Sequence, residues 1–156
     1  MNNVAAAAIT FKKAAEPSFN VYAKQVLTNA KALAAALTAR NVFLVTGGTD
    51  NHLLVIDAIK SFGIDGRTAE EVLDQIGITT NKQVIPDDPR PPLRPSGVRL
   101  GTPACTTRGM NESNMAQIAD WISSALRAPR DEALLSSLRV EVQTLCRNYP
   151  VPGTTC

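Results

Sequence analysis

Residues 85–109 read IPDDPRPPLRPSGVRLGTPACTTRG, and this stretch decides how the chain is organised. Five of the ten prolines in the chain fall between Pro86 and Pro95. Proline cannot continue a helix, and it cannot donate the hydrogen bond that a central strand requires. The first half of the stretch therefore predicts a rigid, irregular loop.

The second half of the stretch predicts a short strand followed by a short helix. Residues 96–101 read SGVRLG, with one arginine, Arg99, between two glycines. Thr102 and Pro103 then supply the residue types that favour the N-cap and the first position of a helix. A guanidinium matches a carboxylate with two parallel hydrogen bonds, and glycine neighbours let a ligand approach the backbone. We therefore predict that Arg99 faces a site and binds a small carboxylate. The alternative is a surface arginine or one held in a salt bridge.

Length and composition exclude several classes of protein. A chain of 156 residues with 44% hydrophobic residues is sufficient for one domain with a real core. The net charge of +2 and the seven aromatic residues give no basic, aromatic surface for nucleic acid. The sequence has no apolar run of about 20 residues and no signal-peptide pattern, so we expect a cytoplasmic protein without a membrane segment. Three scattered cysteines, Cys105, Cys146 and Cys156, predict free thiols, without a disulfide framework or a metal site.

Two helices are predicted at the start of the chain. Residues 1–15 are rich in alanine, which is the strongest helix former. Residues 16–40 place apolar side chains at three- and four-residue spacing, which predicts an amphipathic helix whose apolar stripe packs on a sheet. The stripe comprises Val26, Ala30, Leu33 and Leu37, and it is widened by Leu27 and Ala34.

Two apolar runs, residues 42–45 and 53–56, predict neighbouring antiparallel strands. Gly47 and Gly48 lie between them and predict a turn, because no helix start with a Lys-Ser or Lys-Thr pair follows to make a phosphate-binding loop. His52 stands where the second strand begins. Since no second ligand or nucleophile lies at a known spacing, we interpret His52 as a structural, hydrogen-bonded histidine, with a catalytic role as the alternative.

The rest of the chain predicts three further helices and one short strand. Residues 63–66 predict a turn, Thr68 and Glu71 have the pattern of a capping box, and the helix they open ends at Gly77. A short strand is expected around residues 78–81. Two amphipathic helices close the chain, one over residues 111–126 and one after Pro129. Together these elements predict an α+β domain with helices packed on one face of a small, mainly antiparallel sheet.

Four motifs occur in the order and spacing of one enzyme family: FKKAAEP at residues 11–17, GGTDNH at 47–52, Asn81-Lys82, and the stretch 85–109. With them the chain resembles the C-terminal region of serine hydroxymethyltransferase over essentially its whole length. The resemblance implies the small C-terminal domain of a fold-type-I pyridoxal-phosphate enzyme. It implies linking helices over residues 1–40, a small domain over 41–150 and a flexible tail over 151–156, with the large cofactor-binding domain absent from the chain.

The resemblance also implies an activity and a site. Members of the family interconvert serine and glycine with pyridoxal phosphate and tetrahydrofolate, and they are homodimers or pairs of dimers. In them an arginine that matches Arg99 pairs with the carboxylate of serine or glycine. Folate contacts the residues that match Gln83, Pro91, Pro92 and Leu93.

The chain departs from the family pattern at two positions. Gln83 stands where asparagine is usual, which moves the amide by one methylene and leaves open a related pyridoxal-phosphate aldolase that does not use folate. Asn2 stands where histidine is common. Together the two departures leave open an aldolase-like or otherwise diverged relative.

The resemblance places the Schiff-base lysine of the family upstream of the residues matched here. The lysines of this chain, such as Lys12 and Lys82, occur where surface lysines are expected, so the isolated chain is predicted to be inactive and to hold no catalytic residue. A non-catalytic, stand-alone interaction domain is the remaining alternative, with the helix over residues 1–15 as its exposed binding side.

Overall fold

The computed structural model describes residues 2–153, and these form seven helices and one three-stranded sheet. None of the helices in this range is long and apolar enough to cross a membrane. In chain order the elements are α1 (Asn2–Ala14), α2 (Pro17–Ala39), β1 (Leu53–Asp57), α3 (Ala58–Phe62), α4 (Gly66–Gln75), β2 (Asn81–Gln83), β3 (Gly97–Gly101), α5 (Pro103–Thr107), α6 (Glu112–Arg127) and α7 (Glu132–Asn148).

The sheet has the order β1-β3-β2, and both of its strand pairs are antiparallel. Side chains alternate between the two faces of a strand. Val98 and Leu100 of β3 are buried, whereas Arg99 between them is exposed. One face of the sheet is therefore covered by helices and the other is open. This confirms the predicted α+β class with helices on one face of a small antiparallel sheet.

The core lies between the covered face of the sheet and the helices. Buried side chains from α2, α4, α6 and α7 join those of β1 and β3 in one apolar cluster. Helix α2 therefore contributes to the same core as the residues after position 40. The predicted division of the chain at residue 40 stays a prediction.

The apolar stripe of α2 was predicted to pack on the sheet. In the structure it packs mainly against α6. The stripe residues Val26, Ala30, Leu33 and Leu37 are buried as expected. Helix α6 presents an apolar face of its own, with Met115 and Ile122 almost fully buried, and the two helix faces cover each other. Ala34 belongs to the buried stripe, but Leu27 is 39% exposed and does not widen it.

The predicted strand over residues 42–45 is wrong, because only one bridge forms there, between Leu44 and Ile56. Two backbone hydrogen bonds of 3.0 Å flank the bridge, from Val45 N to the Val55 carbonyl and from Asp57 N to the Phe43 carbonyl. The chain then turns at once, at a glycine with a left-handed φ of 70°, and leaves the sheet. The antiparallel direction was predicted correctly, but the pairing is too short to be a strand.

Two helix starts differ from the prediction. The N-cap of α4 is Asp65, whose carboxylate accepts a 2.8 Å hydrogen bond from Thr68 N, so Thr68 lies in the first turn and is not the cap. An aspartate accepts this bond as well as a threonine does. Helix α3 was not predicted; its N-cap is Asp57, the last residue of β1. Strand β2 lies at residues 81–83, slightly later than the predicted 78–81.

The helices at both ends of the chain match the prediction within a residue or two. Thr102 is the N-cap of α5, but its hydroxyl accepts no hydrogen bond from that helix and instead donates to the Val26 carbonyl of α2 at 2.9 Å. Cys105 and Cys146 are free thiols. The third cysteine, Cys156, and the last part of the predicted tail, residues 154–156, lie outside the described residues.

Two glycines allow α4 to approach the central strand. Gly66 opens α4, and its amide donates a 2.7 Å hydrogen bond to the Pro95 carbonyl. A Cβ at Gly66 would overlap the carbonyl oxygen of Gly97 in β3. The carbonyl oxygens of Pro95 and Gly97 are backbone atoms, so neither can move away without a shift of the strand or of the helix.

Gly66→Ala is expected to lower the free energy of unfolding by about 2–3 kcal/mol, because the overlap forces α4 away from β3. This loss exceeds the gain of at most about 1 kcal/mol that alanine brings to a helix. Urea unfolding of the chain followed by circular dichroism measures it.

Gly48→Ala is the matched control, because a Cβ at Gly48 meets no atom within 4 Å. Its unfolding free energy should stay within about 0.5 kcal/mol of the parent chain. Equal stability of the two variants would contradict the close approach.

Candidate functional site

A cleft of about 680 Å³ lies on the open face of the sheet and is lined by Arg99. One wall is the loop over residues 45–51, and the other is formed by residues 83–86. Strand β1 contributes its half-buried side chains, Leu53 and Val55, to the floor. Arg99 is paired with Val55 in the register of β3 and β1, which fixes its place above this floor.

Arg99 has a neutral hydrogen-bond partner. Its Nε–H donates to the side-chain oxygen of Asn81 at 3.1 Å, across the β2–β3 pair. Among the ion pairs of residues 2–153, none involves Arg99. The alternative of a salt-bridged arginine therefore does not apply within the described residues. The guanidinium is exposed toward the cleft and can accept an anion.

The wall over residues 45–51 is a tight loop held by its own side chains. The amide oxygen of Asn51 accepts a 2.7 Å hydrogen bond from Leu53 N, and the Thr49 hydroxyl donates to the Leu53 carbonyl. Gly47 N donates to the Leu44 carbonyl at 2.9 Å, which confirms the predicted turn at Gly47. These bonds give the wall a defined shape.

His52 follows this loop, and its side chain is exposed. Its backbone carbonyl accepts a 3.2 Å hydrogen bond from Thr102 N and thereby continues the β1–β3 pairing. His52 is not among the residues that line the cleft.

The predicted site residues fall into two groups. Gln83 lines the same cleft as Arg99, and its amide donates to the Val84 carbonyl at 3.1 Å. Pro91, Pro92 and Leu93 do not line the cleft; they form the exposed tip of the proline loop, where Leu93 is 78% exposed. The structure thus brings Arg99 and Gln83 together and leaves the loop tip apart from them.

The proline loop is closed by one carboxylate that the sequence reasoning missed. Asp88 accepts hydrogen bonds from Ser96 N at 2.9 Å, from the Ser96 hydroxyl at 2.8 Å, from Arg90 N at 3.0 Å and from Ile85 N at 3.3 Å. Partial burial raises the pKa of Asp88, but the bonds from Ser96, Arg90 and Ile85 outweigh it and bring the pKa down to about 2. The signal in the sequence is an aspartate directly before Pro89, a typical start of a turn.

A second carboxylate attaches the loop to α4. Asp65 is 8% exposed and lies 3.5 Å from Arg90 Nη2 and 3.5 Å from Arg94 Nε. Burial raises the pKa of Asp65, but the hydrogen bonds from Thr68 and the charges of Arg94 and Arg90 lower it by more. Both ends of the tip are therefore fixed to the body of the domain.

The six lysines of the chain do not have the surroundings of a Schiff-base lysine. Such a lysine needs a buried, apolar or cationic neighbourhood that lowers its pKa. Lys82 is in an ion pair with Glu70 at 2.9 Å, and Lys60 lies 3.3 Å from the centre of the Phe43 ring. The remaining lysines are exposed on helices. None of the six lysines is therefore buried in a pocket.

The fold and the cleft define a small α+β domain with an exposed arginine in a cleft on the open face of its sheet. The family model described as serine hydroxymethyltransferase matches residues 1–122. Curated proteins named serine hydroxymethyltransferase are similar along nearly the whole chain. They include those of Xylella fastidiosa (48% identical, 97% of this chain), Acidobacterium capsulatum (48%, 96%) and Xanthomonas oryzae pv. oryzae (47%, 98%).

This chain belongs to the serine hydroxymethyltransferase family. It spans 35–36% of the length of these curated relatives. The family resemblance predicted from the motifs is confirmed.

Asp88→Asn is expected to lower the free energy of unfolding by about 1–2 kcal/mol near neutral pH, because an NH₂ group would face one of the donors that the carboxylate now satisfies. Asp87→Asn is the matched control, since Asp87 is exposed and has a left-handed φ of 53° that asparagine tolerates. Urea unfolding of both variants makes the comparison.

The stabilisation by the Asp88 carboxylate is also expected to depend on pH. The pKa of Asp88 is about 2 in the folded chain against an ordinary 3.8, so the unfolded chain binds the proton more tightly. The stabilisation is therefore complete above the ordinary pKa and is lost as the pH falls toward 2. The stability gap between the parent chain and Asp88→Asn should narrow over this range. A gap that stays constant down to pH 2 would contradict the role of the ionised carboxylate.

Proposed function

We propose that this chain forms the C-terminal part of a pyridoxal-phosphate-dependent serine hydroxymethyltransferase, which interconverts serine and glycine with tetrahydrofolate. Membership of the family supports the reaction class. One observation carries the assignment of a site. Arg99 is exposed in a cleft, its hydrogen-bond partner Asn81 is neutral, and it takes part in none of the ion pairs of the described residues.

In this proposal Arg99 binds the carboxylate of serine or glycine. A guanidinium offers two N–H groups in the plane of a carboxylate, and this bidentate contact fixes orientation as well as position. The reaction requires orientation, because the bond to be broken at Cα must stand in a defined direction against the cofactor. Arg99 can provide this orientation because it lies on β3, the central strand of the sheet, whose backbone is paired on both sides.

We propose that Gln83 and the loop tip contact the folate. Gln83 lies in the cleft with Arg99, where an amide can donate to and accept from a pterin ring. Pro91, Pro92 and Leu93 give an exposed apolar surface on a loop that is anchored at both ends. Such a surface can cover the aromatic part of a ligand without first becoming ordered.

Pyridoxal phosphate, when bound to the complete enzyme, acts as the electron sink of the reaction. The surroundings of the six lysines support the inference that the Schiff-base lysine comes from residues outside this chain. In this proposal the chain binds and orients the amino acid, and the large domain of the complete enzyme holds the cofactor. The complete enzyme is proposed to be a cytoplasmic homodimer or pair of dimers.

A second candidate is a stand-alone interaction domain, and α1 is the observation that favours it. Helix α1 has no buried residue and exposes Val4, Ile9 and Phe11, the last of them by 74%. Val4 and Phe11, seven residues apart, share one face of the helix, and exposed apolar side chains on one face are typical of a protein interface. The cleft with Arg99 favours the enzyme, because an interaction domain needs no such cleft. A folate-independent aldolase would share Arg99 and differ at Gln83.

Arg99→Lys is expected to lower kcat/KM for serine by about 10- to 100-fold, because lysine keeps the charge but loses the planar fork. The test uses a chimera in which this chain follows the upstream part of the Xylella fastidiosa relative. Steady-state kinetics of serine cleavage with tetrahydrofolate, and without it, are the measurement.

Arg67→Lys is the matched control, because Arg67 forms an exposed ion pair with Glu71 on α4, outside the cleft. It should leave kcat/KM for serine unchanged. A chimera that binds the cofactor but does not cleave serine, or an Arg99→Lys variant as active as Arg67→Lys, would contradict the proposal. Equal rates with and without tetrahydrofolate would favour the aldolase.

The isolated chain is expected to show no cleavage of serine when pyridoxal phosphate and tetrahydrofolate are added. The physical reason is that none of its lysines lies in a buried pocket of the kind that imine formation needs: Lys82 pairs with Glu70, Lys60 lies over the Phe43 ring, and the others are exposed on helices. Formation of glycine from labelled serine is the measurement, and the active chimera is the positive control. Turnover by the pure chain would show that it carries a catalytic group of its own.

A further inference from the structure

We infer that Asn81 is a positioning residue that holds the guanidinium of Arg99 by its Nε–H, so that a carboxylate binds end-on through the two Nη groups. The inference rests on the proposed function of Arg99. It adds the direction from which the substrate carboxylate approaches and the residue that sets this direction.

The register of the sheet places Asn81 directly opposite Arg99. Because side chains alternate along a strand, both residues point to the open face, whereas Lys82 points to the other face and pairs with Glu70 of α4. Asn81 and Arg99 are thus a cross-strand pair, the arrangement in which two side chains of a sheet contact each other most closely.

The amide of Asn81 has a fixed orientation. Its Nδ2 donates to the Lys82 carbonyl at 2.9 Å, and its Oδ1 accepts from Arg99 Nε at 3.1 Å. A flipped amide would place its oxygen against the Lys82 carbonyl and its NH₂ against the Nε–H, so both bonds would be lost. The oxygen therefore stays toward Arg99.

This contact decides which edge of the guanidinium is available. A carboxylate can bind a guanidinium along the edge formed by Nε and one Nη, or end-on along the edge formed by both Nη groups. Asn81 occupies the first edge. The second edge, formed by the two Nη groups, remains for a ligand in the cleft that Arg99 lines.

The neutral amide also preserves the charge of Arg99. Two other arginines of the chain donate their Nε–H to carboxylates, Arg40 to Asp120 and Arg67 to Glu71, and each charge is compensated. Asn81 offers a comparable acceptor without a negative charge. Arg99 is thus held in one orientation while its positive charge remains available to an anion.

The first test uses the 156-residue chain itself, because it does not depend on enzyme activity. In a ¹⁵N-labelled sample, the Nε–H signal of Arg99 is assigned by its disappearance in Arg99→Lys. It is expected to exchange slowly with water in the parent chain and in Asn81→Asp, which keeps the acceptor oxygen. Asn81→Ala should accelerate the exchange about tenfold or more, whereas Lys82→Ala, the neighbouring control on the same strand, should not. Equal exchange in the parent chain and Asn81→Ala would overturn the inference.

The second test is a double-mutant cycle in the chimera described above. Asn81→Ala is expected to raise KM for serine about tenfold, which corresponds to about 1.4 kcal/mol, with a smaller change in kcat. In the Arg99→Lys background the same substitution should have almost no effect, because no Nε–H remains to be held. A purely structural role of Asn81 would give the same loss in both backgrounds.

The two proposals can fail separately. If Arg99→Lys leaves the KM for serine unchanged, the proposed function of Arg99 fails, whatever Asn81 does. If Arg99→Lys raises KM but Asn81→Ala does not, only the positioning role is overturned. Asn81→Asp should keep the slow exchange of the Nε–H and still raise KM, because the added carboxylate compensates the charge that the substrate needs.

Discussion

The alternation of side chains along β3 joins the core of this domain to its cleft. Val98 and Leu100 point into the apolar cluster, and Arg99 between them points to the open face. A shift of the register by one residue would bury a guanidinium and expose two aliphatic side chains, at a cost of several kcal/mol. The burial of the core therefore sets the direction of Arg99. Partners on both sides of the strand, Val55 in β1 and Asn81 in β2, keep this register.

The sequence predicted the parts of the fold that depend on periodicity or on proline. The stripe Val26, Ala30, Leu33 and Leu37 identified α2, because its spacing shows which face is buried. The short run SGVRLG around Arg99, followed by the cap residues Thr102 and Pro103, identified β3. What covers each stripe could not be predicted, since a helix and a sheet bury the same residue types. The strand over residues 42–45 failed for a related reason. Its apolar side chains are buried, with Leu44 only 3% exposed, but burial does not require a ladder of hydrogen bonds.

The candidate site shows the same limit at the level of single residues. Arg99 could be proposed from the sequence because a lone arginine between glycines in an apolar run is unusual. Asn81, 18 residues earlier in the chain, could not, since its role depends on the register of two strands. Asp88 was missed because its partners are mostly backbone amides, which no residue type reveals. Asp65 was missed because, besides the amide of Thr68, its partners are Arg90 and Arg94 on the distant proline loop. Long-range polar contacts must be read from a structure.

The attachment of the proline loop has a consequence for the energetics of recognition. Ordering a free loop costs about 1–2 kcal/mol of conformational entropy for each residue. Here five prolines restrict the backbone, Asp88 joins the two ends of the loop, and Asp65 holds its arginines against α4. Most of that entropy is lost when the domain folds, before any ligand arrives. A molecule that contacts the loop tip therefore meets a surface of fixed shape, and its selectivity depends on complementarity to that shape more than on adaptation by the loop.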